Sequence, residues 1–218
     1  MDKRPGMYLK YLPYRYDEVT GKLLTGGSYL FDTFENAKGY ARWTTEDFRV
    51  GDPETPFWEQ PMFESTTRTV WKVIGAHNFA PMEDHAVGRL QRWKAHGTAG
   101  IEKALRDVYP SVRRDAEAQG AASVWMLYCP EQHLVSLQLA FKKADKGDDT
   151  ASVKESLDTV ARKSTLEQLL PTSLAVRPVF DRSSVFLTLW LPRSRAAGGS
   201  SRTIPYYPAV PAITNEEP

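Results

Sequence analysis

Between Ala76 and His96 the chain reads AHNFAPMEDHAVGRLQRWKAH, its densest group of proton-handling residues. His77 and Asn78 follow a strand-like run, and Glu83, Asp84 and His85 stand where the spacing of apolar residues becomes helical. Imidazole titrates near neutral pH and can move a proton on a bound small molecule, so His77, His85 and Asn78 are the candidate catalytic residues. The competing assignment is structural: Asp84 can cap a helix, and a histidine at a strand end can be a hydrogen-bonded framework residue. The four histidines are scattered and the spacing from His77 to His85 matches no standard ligand pattern, so no metal is expected. No axial histidine for haem can be picked out of His85, His96 and His133. There is no glycine-rich phosphate loop, nucleophile elbow or dinucleotide fingerprint, and the expected cofactor set is none.

A second constellation is aromatic. Tyr8, Tyr11, Tyr14, Tyr29, Trp71, Trp125, Tyr128, Phe186 and Trp190 fall on strand-like runs, and Trp58 lies in a long loop. One sheet face cannot bury so many hydroxyl and indole groups without partners, so part of this set should line a cavity for a flat small molecule. The candidate substrate-binding residues are Tyr8, Tyr11, Tyr29, Trp58, Trp71, Trp125, Tyr128, Phe186 and Trp190; the alternative is that the rings fill a core. Arg68, Arg89, Arg92, Arg113, Arg114, Arg177 and Arg182 are able to bind a carboxylate or enolate. Cys129, in a strand beside Pro130, reads as a packing residue.

These groups must be positioned by the elements around them. Residues 7–16 read as a strand, 17–22 as a turn, and the next strand ends at Phe31. GGSYLFDTFENAKGYARW, residues 26–43, changes period from two to about 3.6 at Asp32. Asp32 and Glu35 have the spacing of a capping box, and Phe34, Ala37, Tyr40, Ala41, Thr44 and Phe48 form the apolar side of the helix that follows. The proline-rich loop GDPETPFWEQPMFEST carries Phe57, Trp58, Met62 and Phe63 and is a lid candidate. A strand is expected over 66–74, a helix from Met82 with Val87, Leu90 and Trp93 on its apolar side, and a helix from Ile101 to Gly120 kinked or restarted at Pro110. Residues 123–129 and 133–141 read as a hairpin, a further helix ends near Leu170, and 184–191 is the last strand. The tail from Arg193 has no period.

The order hairpin, helix, closing strand occurs twice, which gives an α+β fold of tandem ferredoxin-like repeats with antiparallel sheets. The halves span 1–80 and 121–192, with connecting helices over 81–120 and an extended tail over 193–218. Two such sheets facing each other would enclose a ring-lined barrel.

The Gly-Gly-Ser-Tyr-Leu-Phe strand, its acidic cap and the helix with Ala and Tyr resemble the small monooxygenase-like proteins of the dimeric α/β-barrel superfamily. What the resemblance implies is a ferredoxin-like, dimeric α/β-barrel type of sheet. It carries no site residues, because that superfamily hosts oxygenases, isomerases, lyases, haem enzymes and binding proteins.

Charge and cysteine usage narrow the partners. With 28 basic and 27 acidic residues in 218, no global field points to nucleic acid or a membrane surface. Cys129 is the sole cysteine, which is the usage of a reducing compartment, and no apolar run has signal-peptide or membrane-spanning length, so a cytoplasmic protein is expected. The expected partner is a small aromatic or hydrophobic molecule, and the tail could join two copies as a homodimer. The leading functional expectation is cofactor-independent acid–base chemistry on an aromatic or polyketide-like substrate, by a lyase, isomerase or dehydratase. A cofactor-free monooxygenase, which the resemblance implies, and a non-catalytic binding protein are the alternatives.

Overall fold

Side chains alternate along strands and recur every three or four residues along helices, and these two periods sort the chain into one sheet with helices laid against it. The computed structural model describes residues 4, 6–16, 20–51, 53–80, 85–96, 99–142, 159 and 169–190. In chain order its elements are β1 (Met7–Tyr16), β2 (Leu23–Thr25), β3 (Ser28–Phe31), α1 (Phe34–Glu46), β4 (Arg49–Val50), β5 (Thr55–Pro56), a 3-10 turn (Phe57–Glu59), β6 (Lys72–Asn78), β7 (His85–Ala95), α2 (Ile101–Ala118), β8 (Ser123–Cys129), β9 (Leu134–Lys142) and β10 (Ala175–Trp190).

Eight strands form one antiparallel sheet in the order β2-β1-β10-β7-β9-β8-β6, with β3 also paired to β1. The order β10-β7-β9-β8, with α2 between β7 and β8, is that of one ferredoxin-like unit. The place of its second helix falls between β9 and β10, where the expected helix lies almost wholly outside the described residues, as does the tail. The expectation of two facing sheets is therefore corrected: β1 adds to β10 and β6 adds to β8, so strands of both halves share one hydrogen-bonded sheet. The segment 81–120 is also not purely helical, since β7 occupies 85–95. Val87, Leu90 and Trp93 fit a helical stripe, but Val87, Arg89, Gln91 and Trp93 lie on one strand face, and the two polar members hide the period of two.

Helix α2 buries Ile101, Leu105, Tyr109, Val112 and Ala116 against Val124, Met126, Val135, Leu137 and Leu139 of β8 and β9. It runs through Pro110 without restarting, and Pro110 is exposed. Arg89 would be costly on this face without a partner. Its Nε and Nη2 donate to Oδ1 and Oδ2 of Asp181 at 3.0 and 2.6 Å, and Gln91 Nε2 donates to Oδ2 at 3.0 Å.

Thr33, not Asp32, caps α1, accepting from the Asn36 N–H, while Asp32 Oδ1 accepts from Asn36 Nδ2 at 2.7 Å. The lid candidate packs on α1. Trp43 stacks on Phe48 at 4.6 Å, Phe48 meets Phe57 at 5.0 Å, and Phe57 meets Trp58 and Phe63 at 4.7 and 5.3 Å. Arg68 lies over Trp58 and donates to Thr45 Oγ1.

The ends of the strand order approach one another. Lys72, on edge strand β6, sits 5.9 Å from the ring of Phe34, which follows β3 at the opposite edge. Lys72 Nζ also donates to Glu102 Oε2 at 3.0 Å, and Arg106 donates to Oε1 at 2.7 Å. Burial raises the pKa of Glu102, yet these bonds and charges together hold it below its ordinary range.

Helix α2 presses close on the sheet at Gly75, where an added Cβ would lie 2.3 Å from the Tyr109 ring. Gly75→Ala should lower the unfolding free energy by about 1–3 kcal/mol in chemical denaturation, and Tyr109→Leu should restore part of it. Equal stability of Gly75→Ala and the parent chain would show that the helix yields at no cost.

Candidate ligand-binding face

Register decides which side chains meet. Residues directly opposite on paired strands share a face, so the sheet can be followed in rows across β6, β8, β9, β7 and β10. His77, Val124, Leu139, Arg89 and Ser183 form one row, and Gly75, Met126, Leu137, Gln91 and Asp181 another. Both lie on the α2 side, as the core packing of Val124, Met126, Leu137 and Leu139 requires.

The intervening rows lie on the other face, here called the inner face. One holds Asn78, Ser123, Ala140, Gly88 and Ser184; the next holds Ala76, Trp125, Gln138, Leu90 and Arg182; the third holds Leu127, Ser136, Arg92 and Phe180. Asn78, Trp125, Ser136 and Gln138 are buried although α2 covers the opposite side. Buried amide, hydroxyl and indole groups on one face of a sheet are able to serve as the polar fixtures of a small-molecule site.

The cationic part of this face is layered. The Arg92 guanidinium carbon lies 5.1 Å from the Trp71 ring centre and 4.9 Å from that of Phe180, and the Arg182 guanidinium lies 4.8 Å from the same Phe180 ring. Arg92 Nε is buried with no hydrogen-bond partner among the described residues. Burial, and then the Arg182 charge, lower the Arg92 pKa, with the Cys129 thiol acting the other way; guanidinium nevertheless stays charged at neutral pH.

The expected catalytic trio is divided. His77 and Asn78 point to opposite faces because they are adjacent on one strand. His77 packs edge-on against Phe79, with ring centres 5.0 Å apart. His85 is buried at the start of β7, in register with Lys142. Its strand lies three strand spacings from β6, roughly 14 Å of sheet. By register His85, opposite Lys142, lies on the inner face with Asn78, whereas His77 lies on the α2 side.

Of the expected substrate-binding residues, Trp71 and Trp125 belong to the inner face. Tyr128 is in the core beneath α2. Tyr29 packs on Tyr40 of α1 at 4.9 Å, and Trp58 joins the ring cluster beyond α1. Tyr8 and Tyr11 lie on β1 and Phe186 and Trp190 on β10, with Phe186 in register with Pro13 and Trp190 with Lys10. Sequence reasoning missed Phe180, Ser136 and Gln138. It grouped Arg92 with other arginines, and the period-two run Gly88, Leu90, Arg92, Lys94 is the signal that places it.

Two open cavities lie away from this face. One of about 330 Å³ is lined by Tyr109, Pro110, Arg113, Arg114 and Glu117, and one of about 550 Å³ by Thr33, Phe34, Glu35 and Lys72. Among the described residues no group of three or more His, Cys, Asp or Glu is placed to hold a metal, and no helix is long and apolar enough to cross a membrane.

No protein-family model matches the chain, and no curated protein matches it. Among solved structures, it is similar to a protein of Fusobacterium nucleatum subsp. nucleatum provisionally named a monooxygenase, with 9% identity and a TM-score of 0.44 over 86% of this chain and 79% of that one. It is also similar to a protein of Lactobacillus acidophilus with the same provisional name, with 11% identity and a TM-score of 0.40 over 86% of this chain and 80% of that one.

His77 has a pH signature. Burial, and then the charge of Arg113, lower its pKa, with Glu117 opposing. The unfolded chain therefore binds the proton more tightly, and stability should fall as pH drops below the free imidazole value of about 6.5. An NMR titration should find the His77 midpoint below that value, and His77→Gln should remove that part of the pH dependence. A midpoint at or above it would mean that Glu117, not burial, dominates.

Proposed function

We propose that this chain binds a flat aromatic or polyketide-like molecule against the inner face and acts on it as an enzyme. The observation supporting this reading is the gathering of Trp71 and Phe180 around Arg92 on the face that also buries Ser136 and Gln138. Rings select a flat apolar body, while amide and guanidinium donors hold oxygens at its edge.

Two chemistries were expected, and the division of the trio favours one. Elimination or isomerisation needs a side-chain base beside the substrate; His77 is turned toward α2, and His85, though on the inner face by register, opens β7 roughly 20 Å of strand away from Arg92. Oxygenation of a readily ionised substrate has no such need. The anion of a hydroxyanthrone-type ring passes electrons to dioxygen; one oxygen atom enters the ring carbon as a carbonyl, and the other leaves as water with the two hydrogens of the oxidised methylene. Donors preorganised around the anion would stabilise the charge that precedes the oxygen step. The favoured reading is a monooxygenase acting on a molecule that supplies its own electrons.

Dioxygen uptake with 1,8-dihydroxyanthrone tests it. The chain should accelerate uptake over buffer, Trp71→Ala should lower kcat/KM by about tenfold or more, and His77→Gln should stay within about twofold. Quenching of tryptophan fluorescence without uptake would identify a binding protein. Loss of turnover in His77→Gln with Trp71→Ala unaffected would move the chemistry to the α2 side.

A further inference from the structure

We infer that the inner-face site is selective for ring compounds bearing a negative charge, with Arg92 as the anchoring cation and Arg182 as its neighbour. This rests on the reading that the inner face binds a flat molecule, and it adds the charge of that molecule.

The contrast between two arginines on one strand carries the inference. Arg89 sits on the α2 side and is held by both carboxylate oxygens of Asp181. Arg92 sits on the inner face between Trp71 and Phe180, with a buried Nε and no carboxylate bound to it among the described residues. Arg182 shares the Phe180 ring, so two like charges are drawn to one place in a partly desolvated setting. Ring faces attract a cation, but they leave its in-plane N–H groups unused. A carboxylate in the plane of the Arg92 guanidinium would take up those donors in parallel bonds, and an aromatic ring attached to it would extend along the Trp71 and Phe180 faces.

Salicylate and salicylamide share ring and hydroxyl and differ in charge, and each can be titrated into the full chain by tryptophan fluorescence. Salicylate should bind about tenfold more tightly or better, and added sodium chloride should weaken salicylate alone. Arg92→Gln should abolish the difference, Arg92→Lys should keep part of it, and Arg182→Gln should reduce it, with circular dichroism confirming that each variant is folded. Equal affinity for the two compounds, unchanged in Arg92→Gln but lost in Trp71→Ala, would overturn the charge selectivity while leaving the ring-lined face in place. Absence of binding by either compound would overturn both.

Discussion

The bidentate ion pair between Arg89 and Asp181 is the contact on which the rest of the sheet's organisation turns. Two parallel N–H···O bonds fix strands β7 and β10 both in register and in rotation, and Gln91 adds a third bond to the same carboxylate. Because strand side chains repeat every two residues, a slip of β10 by one position would carry Phe180 to the α2 side, away from Arg92, and turn Asp181 inward, away from Arg89. The exposed flank of Asp181 tempers the pair's strength, so its main effect is on specificity of alignment rather than on net stability. From that alignment follow the rows that put Trp125, Gln138, Ser136 and Arg92 on one side and the α2 core with the Arg89, Gln91 and Asp181 group on the other.

Much of the local structure was legible in the sequence. The hairpin of β8 and β9, the helix from Ile101 and the strand running into α1 at Phe31 follow from simple periodicity and turn residues. The strand β7 did not, since Arg89 and Gln91 occupy positions where an apolar pattern would have announced it, and their partner lies some ninety residues away. Reading that segment as a helix separated the strands into two sheets, which the long-range pairing of β1 with β10 and β6 with β8 joins into one. The site suffered the same way. His77 and Asn78 look like a cluster in one dimension, but the pleat sends them to opposite sides. Trp71 and Trp125 stood out in the sequence as aromatic residues of strand-like runs, whereas Phe180 became relevant only through its register with Arg92.

An inner face carrying charge costs solvation that a purely apolar one would not. The Trp71 and Phe180 rings return part of that cost through their negative faces, and they also hold the guanidinium in one orientation. Such a cation is preorganised: little side-chain freedom remains to be lost when a partner arrives. The neutral groups next to it on β9, Ser136 and Gln138, extend the same surface without adding a competing negative charge.

The rings gathered around α1 have a different consequence. Met7, Phe31 and Tyr40 form a cluster of their own, with Tyr29, Ala37 and Trp43 packed on it, separate from the larger cluster beneath α2. Two separate packing clusters among the described residues permit two cooperative transitions. Trp43 and Trp58 report on the smaller and Trp93 on the larger, so emission and circular dichroism need not melt together.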